Sequence, residues 1–146
     1  MIPFIFWVLG ALAPSTPLNE SMANLELYYE TVARIESNRE RYATNDKTSA
    51  ASYFQVTFGA FRTAKIRAKR YGYVVDKKFV SELTYEEQMQ LLFLDLYARE
   101  GTNRHISGIL RGDRRLAMAA YYKWHHTKPD PATIKRAERI FKENYN

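Results

Sequence analysis

The sequence predicts a mainly α-helical single domain, and three observations carry that reading. Its 146 residues are the usual size of one domain. Six Gly and five Pro are few enough to leave long uninterrupted runs. Within those runs apolar residues recur at helical spacing, and Thr or Asp precedes most of them as a cap. Apolar residues make up 46%, enough for one core, and 26% charged residues is an ordinary fraction that argues against disorder. No internal repeat or low-complexity segment interrupts the pattern.

The first element, residues 1–17, is an apolar arm. Ile2 to Ala13 is almost wholly apolar and ends in Ala11-Leu12-Ala13. It is too short to span a bilayer as a helix, which takes about 20 residues. Its length and small-residue ending fit a signal-like or membrane-associating segment, although no Lys or Arg precedes the apolar run. The other reading is an arm buried in the fold. Pro14 and Pro17 separate it from residues 18–146.

In the main domain, Met22, Leu25, Tyr29 and Val32 place a helix over about Ser21 to Ser37. Asn38 to Ser52 is polar and reads as a loop, long for a small helical domain, and such loops are often functional. Thr57 is a plausible N-cap for a helix with Phe58, Phe61, Ala64 and Ala68 inward, ending near Gly72. Its other face holds Arg62, Lys65, Lys69 and Arg70. Thr84 to Glu87 has the form of a capping box, Thr with Glu three residues on, opening a helix that buries Met89, Leu92, Phe93 and Leu96 and ends at Gly101. A short helix covers Arg104 to Leu110. Asp113 caps another that runs through His125. Asp130 caps the last, with Pro131 in its first position and Ile134, Ala137 and Phe141 inward.

Several function classes are excluded or weakened. The absence of Cys removes disulfides, thiolate metal sites and a thiol nucleophile. No phosphate loop, dinucleotide motif or Ser-His-Asp order is present. His125 and His126 are adjacent and at α pitch point about 100° apart, and His105 is alone, so neither a metal nor any cofactor is expected. The +6 net charge suits a polyanionic partner, either nucleic acid or the anionic bacterial envelope.

Glu36 is the most informative residue. The stripe Met22, Leu25, Tyr29, Val32 reaches position 36 next, at about 100° per residue. The core face of the helix therefore runs into a carboxylate. Burial disfavours the charged form of a carboxyl, and a carboxyl that holds its proton near neutral pH is what a general acid needs. The plainer alternative is that the helix ends at Ile35 and Glu36 points to solvent.

Two further segments bear on that choice. Glu36-Ser37 is followed by a polar loop, then Ser52-Tyr53-Phe54-Gln55, with Gln55 lying 19 residues after Glu36 and Thr57 opening a helix. Later comes Leu116-Ala117-Met118-Ala119-Ala120-Tyr121. In this order and spacing, the segments resemble the signature of lytic transglycosylases and goose-type lysozymes. That family has a Glu-Ser at a helix end, a Gly-Leu-Met-Gln-like segment and an Ala-Ala-Tyr-Asn element. The resemblance spans about Leu25 to Trp124, with Thr84 to Tyr97 as the helix between the elements. It departs where Ser52-Tyr53-Phe54 replaces Gly-Leu-Met, where Tyr122 replaces the Asn, and where the following Gly-Pro-Gly turn is missing.

The resemblance implies a lysozyme-like helical domain with a long active-site loop and an activity on peptidoglycan glycan strands. Glu36 would be the catalytic acid and then base. Ser37, Phe54, Gln55, Tyr121 and Tyr122 would line the substrate site, with Tyr121 reaching towards Glu36. A transglycosylase needs no second carboxylate, because the substrate's N-acetyl oxygen assists. A water-using muramidase would need one, and Asp46 is the acidic residue of the loop available for it, although a solvated turn residue is its plainer reading. The family further implies a bacterial periplasm or cell envelope, or a phage lysis or entry protein.

Two alternatives remain beside the enzyme. Arg62, Lys65, Arg67, Lys69 and Arg70 with Tyr71 and Tyr73 could form a non-enzymatic nucleic-acid patch of phosphate contacts and base stacking. No specific nucleic-acid partner is expected, since a solvated helix face explains the same charges. An inactive glycan-binding relative is the other, and the intact Glu36 argues against it.

Overall fold

A computed structural model describes all residues, 1–146, as seven α-helices without a β-strand. The helices are α1 Pro3–Leu12, α2 Leu18–Ser37, α3 Phe58–Lys69, α4 Tyr85–Ala98, α5 Asn103–Leu110, α6 Arg114–Ala120 and α7 Pro131–Asn144. A 3₁₀ turn at Val80–Glu82 precedes α4, and a π-helical turn at Tyr121–His125 follows α6. The mainly α single domain is thus the observed class.

α2 is the spine. It buries Leu25, Tyr28, Tyr29, Val32 and Ile35, and α1, α5 and α7 pack on it. It starts three residues earlier than the expected Ser21, directly after Pro17, a residue that sits well at a helix entrance. α3 packs on α4, and α5 packs on α6. Gly108 allows the second crossing: a Cβ there would lie 2.3 Å from the Cβ of Leu116, so only Gly lets α6 come this close.

The caps explain the boundaries. Thr57 accepts from the Ala60 N–H at 3.2 Å, Asp113 from Leu116 at 3.1 Å and Asp130 from Thr133 at 2.7 Å. Thr84 and Glu87 close a reciprocal capping box at 3.2 and 2.9 Å. Each satisfies backbone donors that a helix start leaves open.

Some expectations need correction. Phe58 is 56% exposed, packed on Phe79 instead of the core, and Ile134 is 37% exposed. Both occupy the apolar side of their helix but lie in its first turn, past the edge of the core. Met22 and Leu92 are only half-buried. α4 stops at Ala98, before Gly101, which takes a positive φ of 78° in the turn beyond. The helix expected through His125 leaves α geometry at Tyr121.

The N-terminal arm is helical and packed. Ile5, Val8, Leu9 and Ala13 are buried, the Ile2 N–H donates to Gln90 Oε1 at 3.0 Å, and Phe4 stacks on Tyr71 at 4.7 Å. No helix is long and apolar enough to cross a membrane.

Candidate active site

α2 continues through Glu36 to Ser37, so the core stripe does end on a carboxylate. The Glu36 side chain is 9% exposed. Its surroundings are less apolar than the stripe alone implies. The Tyr121 hydroxyl donates to Glu36 Oε1 at 2.6 Å, and His126 Nδ1 lies 2.9 Å from the same oxygen. The second oxygen, Oε2, has no partner within the chain and is not sealed from solvent. One carboxyl oxygen is therefore held, and the other is free to meet a ligand.

The π turn makes this cluster. In an α-helix, residues five apart point about 140° from each other. Here the His126 N–H donates to the Tyr121 carbonyl at 2.8 Å, an i to i+5 bond. Tyr121 and His126 come onto one side, with the hydroxyl 3.3 Å from Nδ1. π turns of this kind recur at functional sites. Tyr121 is fully buried, and burial, with the nearby Glu36 charge next, pushes its hydroxyl well above the usual range. It therefore stays a protonated donor. A carboxylate oxygen can only accept, so towards ionised Glu36 the His126 Nδ1 is the donor.

His125 does separate work. Its Nε2 lies 2.8 Å from the Phe54 carbonyl, which can only accept, so Nε2 is protonated. Its ring stacks on Tyr121, with centroids 5.8 Å apart. Burial lowers its pKa from the ordinary value near 6.5. His125 thus ties the π turn to the segment after the loop.

The loop itself is folded back. Antiparallel bridges join Thr44 to Ala51 and Ala51 to Val56. All four non-glycine residues with positive φ in the chain, Asn38, Arg39, Ser52 and Gln55, lie between Glu36 and Val56. Each such residue costs energy, and strain of this kind gathers at functional sites. Ser52 replaces the Gly of the resembling motif and takes a φ of 67°. Its buried hydroxyl accepts from Gln88 Nε2 at 2.9 Å, which helps hold the conformation.

The remaining expected site residues divide. Gln55 lines a cavity of about 150 Å³ with Tyr28, Tyr29, Thr57, Trp124 and His125. Its Nε2 donates to Ala43 and Ser52 carbonyls at 3.2 and 3.0 Å, leaving Oε1 as its free acceptor. Ser37 is a strut, not a ligand contact: its hydroxyl donates to the Tyr53 carbonyl at 2.7 Å and accepts from Glu40 N–H. Phe54 cannot form a substrate wall, because its ring is fully buried against Tyr29 and Tyr85. Tyr121, also fully buried, touches Glu36 and not a ligand. Tyr122 is not drawn to Glu36; its buried hydroxyl has no partner and lies near the Glu138 charge. Asp46 is exposed in a turn of the loop.

Sequence reasoning missed His126, since α pitch turns it away from Tyr121. It also missed the polar wall of the cavity, where buried Asp95 is held by Arg67 at 2.9 Å and Arg99 at 3.0 Å. That pairing removes Arg67 from the basic face of α3. Tyr71 is stacked on Phe4, and the Tyr73 hydroxyl donates to the Glu87 carbonyl at 3.2 Å, so neither ring is an open stacking platform.

Protein-family profiles, curated proteins and solved structures give no match to this chain.

Proposed function

We propose that this chain is a lysozyme-like lytic transglycosylase that cleaves the β-1,4 bond between N-acetylmuramic acid and N-acetylglucosamine, with Glu36 as acid and then base. The observation that carries the reading is the 2.6 Å bond from Tyr121 to Glu36, which joins the two motifs across 85 residues. The strained loop between Glu36 and Gln55 supports it as well, as does the cavity at Gln55 and His125, although Glu36 itself is not part of the cavity's lining.

The chemistry follows from the free oxygen. Protonated Glu36 Oε2 gives its proton to the glycosidic oxygen as the C1–O bond breaks through an oxocarbenium-like transition state. The N-acetyl carbonyl oxygen of the muramic acid closes on C1. Glu36, now a carboxylate, takes the proton of the C6 hydroxyl. O6 then attacks C1, displaces the acetamido oxygen and forms a 1,6-anhydro sugar. Water is not consumed, and Glu36 ends protonated.

The neighbours serve this cycle through Glu36. Tyr121 stays a donor throughout and fixes Oε1, so the proton moves at Oε2. His126 donates to the same oxygen as Tyr121 and steadies the carboxylate after the first transfer. Gln55 Oε1, without a partner within the chain, accepts from an acetamido N–H. The basic surface, +6 in net charge, favours approach to the anionic envelope.

Glu36→Gln tests the site. The amide fills the same space and cannot donate the proton, so clearing of permeabilised bacteria should fall by about 10²-fold or more while the circular dichroism melt stays near wild type. Near-native clearing by this variant would remove Glu36 from the mechanism.

A further inference from the structure

α1 has no polar side chain on any face. Its inner face, Ile5, Val8 and Leu9, is spent in the core. Its outer face is Pro3, Phe6, Trp7, Gly10 and Ala11, all exposed, with Phe6 at 40% and Trp7 at 59%. A small domain rarely shows a wholly apolar helix face to water without a partner for it. From these observations we infer that the outer face of α1 is a docking surface for an anionic lipid bilayer, entered sideways by Phe6 and Trp7.

Charge complementarity points to lipid headgroups. Trp7 stacks on Phe4 and Phe4 on Tyr71, at 5.5 and 4.7 Å, so the aromatic row leads to the end of α3. Directly before Tyr71 stand Lys69 and Arg70, both exposed. Glu86, beside the start of α1, faces the Met1 ammonium at 3.8 Å. Trp at the water–lipid boundary with cations beside it is the arrangement that interfaces favour.

The geometry sets the mode. Ten residues of helix are about 15 Å long, half of a hydrocarbon core of about 30 Å, so α1 cannot span. Its buried face keeps it attached to the domain, so binding is shallow and reversible. A second copy of the chain fits less well, because a stable protein interface takes about 800 Å² per partner, more than one helix face with two large side chains supplies.

Co-sedimentation of the full chain with vesicles of phosphatidylglycerol and phosphatidylethanolamine, against phosphatidylcholine vesicles, tests the inference without any turnover. It therefore stands or falls apart from the glycan-cleaving reading. The wild type should pellet with the anionic vesicles. The Phe6→Ser/Trp7→Ser pair changes only exposed side chains and should keep its dichroism spectrum while losing roughly tenfold or more of its partition. Lys69→Ala/Arg70→Ala should lose roughly twenty-five-fold on anionic vesicles, about fivefold for each cation, and little on neutral ones. Failure of the wild type to pellet, or equal pelleting of the Ser pair, would overturn the inference. So would a dimer seen by light scattering that the Ser pair abolishes, since the face would then belong to a second copy.

Discussion

Tyr121, fully buried behind the site, donates its hydroxyl to Glu36 Oε1 at 2.6 Å, although 85 residues separate the two. The hydroxyl can fill only one oxygen of the carboxyl, and Oε2 remains unpaired within the chain. This asymmetry sets Glu36, the acid of the proposed mechanism, apart from Asp95, both of whose oxygens are bound to arginines.

Tyr121→Phe keeps the ring and removes the bond. A hydrogen bond to a charged group is worth about 1.5–3 kcal/mol, so kcat should fall by roughly 10- to 100-fold. KM should change little, because a buried ring touches no ligand. Steady-state kinetics on purified glycan strands checks the split; a change confined to KM would make Tyr121 a substrate contact instead.

His126→Gln tests the other neighbour of Oε1. The amide can still donate to the carboxylate, whereas His126→Leu cannot. A hydrogen bond to a charged group is worth about 1.5–3 kcal/mol, so kcat should fall by roughly 10- to 100-fold in the Leu variant and be largely kept by Gln. Equal rates in the two variants would leave His126 a packing residue.

The difference between these two residues shows what was legible in the sequence. Helix starts were, because Thr57, Thr84, Asp113 and Asp130 are local signals that need no tertiary context. Glu36 was, because its apolar stripe persists along a regular helix. Tyr121 was named through its motif. His126 was not, because its approach depends on the i to i+5 bond at Tyr121, and nothing in Tyr121-Tyr122-Lys123-Trp124-His125 announces a π turn. Ser37 and Phe54 were given ligand roles because a motif names residues without saying which way they face. The Ser37 hydroxyl, and the Phe54 carbonyl and ring, are in fact consumed in holding the loop.

The pH dependence of stability should carry the mark of His125. Burial lowers its pKa below the value of about 6.5 that it has when unfolded. The unfolded chain thus binds this proton more readily, so stability is present above about pH 6.5 and is lost as pH falls below it. His125→Gln retains a donor for the Phe54 carbonyl and does not titrate. Its Tm should fall less than that of the wild type between about pH 7.5 and 5.5. Asp130, held below the usual carboxylate range by the Thr133 N–H, weakens the fold only at more acid pH, below about 4, and separates from this effect. Parallel Tm curves for the two proteins would show that His125 does not supply the slope.

The product decides between the two ways of ending the reaction. Transfer to O6 gives a 1,6-anhydro end, whereas entry of water gives a reducing end heavier by one water, and mass spectrometry of the released fragments separates them. Water needs a base on the far side of the sugar. Asp46 is the acidic residue of the loop, but it is exposed in a turn, and no side-chain hydrogen bond holds it toward Glu36. A base that is not positioned contributes little, since general-base catalysis depends on reach before it depends on pKa. Anhydro ends should therefore dominate, and Asp46→Asn should keep most of the wild-type rate. Reducing ends with an inactive Asp46→Asn would instead make the chain a muramidase, with the loop closing over the substrate to bring Asp46 in. Reducing ends with an active Asp46→Asn and an inactive His126→Gln would move the base to His126. In either case the proposed role of Glu36 as acid is unchanged, because the leaving oxygen needs a proton whichever nucleophile follows.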